Sequence, residues 1–420
     1  MEVLSVLACV VAVIALALLV GATRRVRLLE DQIKQVLAGR DADQLLASGS
    51  HELERTQRRW LSFRLRSLLM WVAIAACLLG WFGSELRRAK RQRVAVNTFE
   101  SLGAAITYNF NEYDARDCFP SDRRPPLPRW TRQLFGDDFG SRVLAIRFEA
   151  PLGGGFGGWQ WGTPGFGNKS FDLTDDDLKL LRDLPDVTYV NLCYTDVTDD
   201  GLRHLVGLHD LKRLSLASTH VTGSRLAELE MLPRLDWLDL NGSKATDQAM
   251  TAVSALPHLT ELIASQHVTD AGLAALSAST TIEALDLTRA PISDSGLRHV
   301  AKMQQLTALK LNETMIGNAG LQHLQRLPNL KVLHLDGTQV TCDGLAQLKD
   351  LPRLHALSLL SLKFECDLVE HLAGLEQLQQ LSLPADSILE DERDRLRASL
   401  PDTRIDFAEP LGMIGGGGGF

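Results

Sequence analysis

Four histidines, His204, His299, His323 and His371, recur beside leucines of a short helical phrase. Imidazoles in a row could hold a transition metal, but no ligand spacing binds these four into one site, and solvated helix positions are the expected role. Aspartates gather at Asp175-Asp-Asp177 and from Asp196 to Asp200. Carboxylate clusters are calcium chemistry, yet the dense ligand loop that calcium needs is missing and helix capping accounts for the acids. Residues 153–158 read Gly-Gly-Gly-Phe-Gly-Gly inside a glycine-rich stretch that also holds Trp159 and Trp161. Without a Gly-Lys-Ser/Thr ending or a strand–loop–helix frame, no amides are aimed at a phosphate, and a flexible insertion over 151–170 is expected. The chain has no Gly-x-Ser-x-Gly and no His-Glu-x-x-His. No catalytic, cofactor-binding or metal residue is therefore expected, and the chain reads as a non-enzyme. Six cysteines, Cys9, Cys77, Cys118, Cys193, Cys342 and Cys366, form no Cys-x-x-Cys pair. Isolated thiols are the expectation.

The elements around these residues follow one period. Leu-x-Leu, a turn with Thr, and Thr-Asp-x-Gly-Leu recur, as in Leu333-His-Leu335, Thr338 and Thr341-Cys-Asp-Gly-Leu345. The strand positions fall at 190, 214, 238, 262, 285, 309, 333, 357 and 381, a step of 24 with one step of 23. Such a period predicts stacked units, each too small to bury its own leucines. Alternation puts two leucines on the inner face of a short strand. Thr198 suits an N-cap, Asp199 and Asp200 suit the positive end of a helix, and Leu202, Leu205 and Leu208 face the strand. Pro233, Pro257, Pro328 and Pro352 stop the helices.

The unit at Leu262 is one residue short and loses its turn Thr, so an irregular turn is expected within Ala264 to Val268. The pattern decays near the end, where Leu362 replaces Thr, and Ile405 to Phe407 reads as a closing strand.

This phrase resembles the leucine-rich repeat, in the bacterial variety with Thr at the turn position. The resemblance covers roughly the last 235 residues. It implies an α/β solenoid over 171–407, a curved parallel sheet backed by short helices, that binds other proteins. In that fold the residues flanking each strand leucine point out of the concave sheet. These are Tyr189 and Asn191, Arg213, Trp237 and Asp239, Glu261, Asp286, Lys310 and His334; Tyr194, Arg289, Glu313 and Asp336 follow the strands. Tyr189, Arg213 and Trp237 share one column on consecutive strands. Aromatic and Arg side chains are favoured at interface centres, and an exposed Trp on a strand would mark a ligand.

The N-terminal third differs in charge. Of the chain's 44 Lys+Arg and 52 Asp+Glu, residues 1–93 hold 15 and 8, leaving 29 and 44 for residues 94–420. An acidic solenoid argues against nucleic acid as a partner, and the basic part flanks two uncharged runs. The first, within 1–23, spans Val3 to Thr23; only Met1 and Glu2 precede it, which favours an uncleaved membrane anchor over a signal peptide. The second, 67–84, lies between Arg58, Arg59, Arg64 and Arg66 and the cluster Arg87, Arg88, Lys90, Arg91 and Arg93. Between the two expected lipid-embedded helices, 24–66 reads as a basic loop, partly helical. Residues 85–150 read as a juxtamembrane helix and an N-terminal cap, and 408–420 as a disordered glycine-rich tail.

Arg24, Arg25 and Arg27 place the 24–66 loop in the cytoplasm by the positive-inside rule, while the cluster after the second span argues the reverse. We expect the solenoid outside the cytoplasmic membrane. Phe63-Arg-Leu-Arg-Ser-Leu-Leu, Leu79-Gly-Trp, Arg87-Arg-Ala-Lys-Arg-Gln92 and Leu102-Gly-Ala-Ala-Ile-Thr-Tyr108 are also similar to membrane-anchored leucine-rich-repeat proteins abundant in planctomycete bacteria. That resemblance implies an architecture and no activity. The expected function is non-covalent binding of a protein or peptide on the concave face. A receptor that signals through a partner, or a cell-envelope enzyme, are the alternatives.

Overall fold

The computed structural model describes residues 42–108, 141–148, 171–364 and 366–408, with side chains from Leu69 onward. The first expected span, the glycine-rich insertion and the C-terminal tail from 409 lie outside the described residues. The chain divides into two compact units, residues 1–89 and 90–420.

One helix, α1, runs from Ala42 to Ser101. The helix continues without a break past residue 84, and residues 42–50, which show no apolar period, are helical too. Within the first unit, Leu69, Met70, Trp71, Leu78 and Trp81 are all exposed. A core helix of a water-soluble domain would bury such residues. The segment Leu69–Ser101 is long and apolar enough to cross a membrane, and only 6% of its most apolar window is buried.

Among the described residues the second unit is built on one sheet of twelve strands that follow chain order. They are β1 Ala105–Tyr108, β2 Val143–Arg147, β3 Tyr189–Asn191, β4 Arg213–Ser215, β5 Trp237–Asp239, β6 Glu261–Ile263, β7 Ala284–Asp286, β8 Ala308–Lys310, β9 Val332–His334, β10 Ala356–Ser358, β11 Gln380–Pro384 and β12 Arg404–Ala408. β1 is antiparallel to β2. From β2 onward neighbours are parallel and in register; Val190 pairs with Leu214, and Leu214 with Leu238. From β3 to β10 each strand is three residues, one on either side of an inward Leu or Val, because the chain must turn back within 24 residues.

Behind the sheet each coil returns through a short helix. It is a 3-10 turn in the first coils, as at Asp199–His204, and an α-helix in the middle, as at Asp247–Ser254 and Asp294–Val300. The leucines of strand, turn and helix form one continuous core that includes Leu192, Leu202, Leu214, Leu238, Leu297, Leu333 and Leu381, all essentially fully buried. Burying one such side chain stabilises by about 2 kcal/mol.

The N-terminal cap closes the first coil with aromatics. Ala95, Val96 and Phe99 of α1 are buried with Ile146 and Phe148. Phe99 meets Phe148 edge-on at 6.4 Å, and Phe148 meets Phe171 at 5.3 Å. At the other end β12 is the expected closing strand, and Arg393 and Arg397 lie over the Phe407 ring at 5.0 and 5.3 Å.

The short unit at Leu262 keeps the sheet register on both sides. The missing residue is taken from the turn. Seven other coils, from β3 to β10, place one left-handed residue four positions after the strand centre, namely Tyr194, Ser218, Gly242, Arg289, Glu313, Gly337 and Ser361. The 262 coil has none, and Ser265 instead donates its hydroxyl to Ser243 O at 2.9 Å.

Two sequence expectations are corrected here. Cys342 and Cys366 are joined in a disulfide, with Cα atoms 6.4 Å apart, so these two are not isolated thiols. A search for Cys-x-x-Cys overlooks them because their separation is the repeat period of 24, which brings them together between adjacent coils. Asp199 does more than favour a helix dipole. Its carboxylate crosses to the next coil and accepts from Thr222 N, Thr222 Oγ1 and Gly223 N at 2.7–2.9 Å.

Candidate functional site

Strand register fixes two outward columns on the sheet. The residue before each central Leu forms the first: Tyr189, Arg213, Trp237 and Glu261, then Ala284, Ala308, Val332 and Ala356. The residue after it forms the second: Asn191, Ser215, Asp239, Ile263, Asp286, Lys310, His334 and Ser358. Period-two alternation turns both columns away from the leucine core.

In the first column Tyr189, Arg213 and Trp237 form one stack. The Arg213 guanidinium carbon lies 4.6 Å from the Trp237 ring centre and 5.5 Å from that of Tyr189. The two rings meet edge-on at 6.4 Å. A planar cation over both rings is held by the ring quadrupoles. The exposed indole expected from the sequence is not found: Trp237 is 4% exposed, covered by its neighbours in the stack. Glu261, next in the column, is exposed and is not part of that stack.

The second column is a polar row held largely by its own hydrogen bonds. Ser215 Oγ donates to Asp239 Oδ2 at 2.9 Å, and Asn241 N donates to Asp239 Oδ1 at 2.9 Å. Burial pushes the Asp239 carboxyl up to about 6, with Asp286 adding to the rise, against the two bonds that lower it. Asp286 accepts from Thr288 N and Oγ1 and lies 3.4 Å from Lys310 Nζ. Beyond Lys310, burial holds His334 below its ordinary value, against the pull of Asp336, with Lys310 lowering it further. Asp336 accepts from Ser358 Oγ at 2.6 Å and Leu360 N at 2.7 Å. Asn191 Oδ1 accepts from Cys193 N, and Cys193 Sγ lies 3.1 Å from Ser215 Oγ.

The strand-to-helix turns add a third row. Tyr194, 40% exposed, and the pair Arg289 and Glu313 all have left-handed backbones. Arg289 donates to both Glu313 carboxylate oxygens, at 2.8 and 3.1 Å. A non-glycine residue there costs about 1–2 kcal/mol, and each of these turns is held by its amide, as Arg289 N on Asn312 O.

The thirteen residues singled out by sequence thus resolve into the Tyr189–Arg213–Trp237 stack, the linked row Asp286–Lys310–His334–Asp336, the Arg289–Glu313 pair, and Asn191, Asp239, Glu261 and Tyr194 around them. Sequence reading missed Ser358 and Cys193; Ser358 was findable as the residue 24 after His334. The four histidines remain on separate helices. Among the described residues no group of three or more His, Cys, Asp or Glu could hold a metal ion.

Comparison with known proteins bears on this geometry at the level of the fold. A leucine-rich-repeat family matches residues 278–301, one coil that contains β7 and the helix Asp294–Val300. A solved internalin from Listeria monocytogenes is 23% identical, covering 55% of this chain and 77% of its own, with a TM-score of 0.38. Internalin C2 from the same organism is 22% identical, covering 50% and 84%, with a TM-score of 0.37. No curated protein matches the chain. The second unit is a leucine-rich-repeat solenoid.

Proposed function

We propose that the chain is a membrane-tethered, non-catalytic protein-binding module whose ligand, a protein or peptide, lies across the outward face of the solenoid sheet. The observation that carries this reading is the Tyr189–Arg213–Trp237 stack. The buried Trp237 holds the half-buried Tyr189 ring and Arg213 guanidinium as a rigid surface beside a prearranged polar row. Little side-chain freedom is left to lose on binding, which favours affinity. The ligand would meet the stack first, with Glu261 and Tyr194 as exposed contacts and the Arg289–Glu313 pair at the margin.

Tethering would use residues 67–84, and 3–23 as a second span. The exposed apolar side chains of α1 and the flanking basic cluster support the former. Similarity to the membrane-anchored repeat proteins of planctomycetes, carried by residues 63–108, supports the anchor at 67–84; Arg24, Arg25 and Arg27 after the first span are what favour the solenoid outside the cytoplasmic membrane.

Co-purification from detergent-solubilised membranes tests the reading. Arg213→Glu and Glu261→Arg, both on the sheet face, are expected to lose a bound protein that Met231→Glu, on the helix side, retains. Equal retention by all three variants contradicts it.

A further inference from the structure

The position after each helix-capping residue forms a column between coils. Asp175 accepts from Thr198 N and Oγ1, at 2.8 and 2.5 Å. Asp247 does the same for Thr269, and Asp270 for Ser293. Asp294 accepts from Gly317 N at 2.7 Å, and Asn318 accepts from Thr341 N at 2.9 Å. Gly223 takes the position once, where a Cβ would meet Ala249 at 2.3 Å. After Asn318, the same register position falls on Cys342 and then on Cys366. These two lack a carboxylate or amide to carry the tie, and they are the pair that is disulfide-bonded. The covalent bond begins where the acid column stops. It also encloses β10 and Leu362, where the repeat pattern begins to decay.

We infer that the Cys342–Cys366 bond is the inter-coil rung that replaces the carboxylate, and that a dithiol–disulfide oxidant closes it in an oxidising compartment outside the cytoplasm. The compartment deepens the tethered reading and rests on it only for the side of the membrane; the rung rests on register alone. Structural disulfides persist where thiols are not kept reduced. Closure is an exchange. The Cys366 thiolate, the more accessible of the two, attacks the donor disulfide and releases one donor sulfur as a thiol. The Cys342 thiolate then attacks Cys366 Sγ in that mixed disulfide and releases the second. Two protein thiols lose two electrons and two protons, and one donor disulfide becomes a dithiol.

The test uses the full chain in intact cells, with the other four cysteines changed to Ser. Cells are acid-quenched and labelled in denaturant with a PEG-maleimide, with and without prior reduction. No adduct before reduction and two after it are expected, with Cys342→Ser giving one adduct without reduction. Two adducts without reduction, beside an oxidised exported control, overturn the proposal. Carbonate extraction of the same cells reads the tether separately: a membrane-bound chain with two reduced thiols sinks this inference and leaves the tether standing. On the purified chain, reduction is expected to speed protease cleavage beyond residue 343 by at least about tenfold and to leave β3–β8 unchanged. Cleavage that is indifferent to reduction overturns the rung.

Discussion

Asp239 is the residue at which the sheet face departs furthest from ordinary surface chemistry. Its carboxyl is buried in the polar row, and its proton is held to about pH 6 against an ordinary 3.8. A carboxyl raised in the folded state favours folding when protonated. Its contribution is therefore present at low pH and lost as pH rises through about 6. The interval corresponds to roughly 3 kcal/mol. Asp239→Asn keeps an acceptor for Asn241 N and stays neutral, so it is expected to be the more stable chain at pH 8, with the gain shrinking toward zero near pH 4. Urea unfolding at both pH values checks this, and a gain that is independent of pH would show that the carboxylate is not destabilised by burial. The sequence placed Asp239 on this face through the Leu period. Its burial depends on Ser215 and Trp237 beside it, which a single-residue reading does not supply.

Among the elements, the coil-to-coil acid column explains the phrase Thr-Asp-x-Gly-Leu. Thr or Ser caps its own helix, Asp reaches forward to the next coil, and Gly leaves room for the Asp that arrives from behind. A Cβ on Gly296 would stand 2.3 Å from Asp270 Oδ1, and one on Gly320 would stand 2.5 Å from Asp294 Oδ1. Burial pushes Asp270 up, but the Ser293 and Ser295 hydroxyls and the Ser293 amide outweigh it and hold its carboxyl below the usual value. That contribution is present above the ordinary carboxylate range and lost as pH falls through the depressed value. Gly296→Ala and Asp270→Ala are each expected to cost about 1–3 kcal/mol. Because they break one rung, the double variant is expected to cost less than the sum of the two. Strict additivity in thermal or urea unfolding would separate the two residues. Strands and helices were legible because leucine spacing reports them directly. The rungs were read only as local caps, since hydrogen bonds between residues 22–24 apart become visible only when repeats are aligned on one another. The same alignment would have paired Cys342 with Cys366.

At the scale of the second unit, a continuous core of stacked leucines holds rows of side chains at fixed spacing. Rows of strands roughly 4.8 Å apart make the outward face a preformed surface. Its N-terminal end is aromatic and cationic, and its middle is a hydrogen-bonded polar row. Fold and register were legible from the 24-residue period. The stack was legible only as three residues in one column, because how Arg213 lies over the two rings is decided by rotamers. The most direct measurement replaces Glu261 with a photo-crosslinking amino acid in the full chain expressed in cells, and Met231 likewise as the helix-side control. The account predicts a discrete protein adduct from position 261, abolished by Arg213→Glu, and none from position 231. Equal labelling from both positions, or an adduct indifferent to Arg213→Glu, would contradict it.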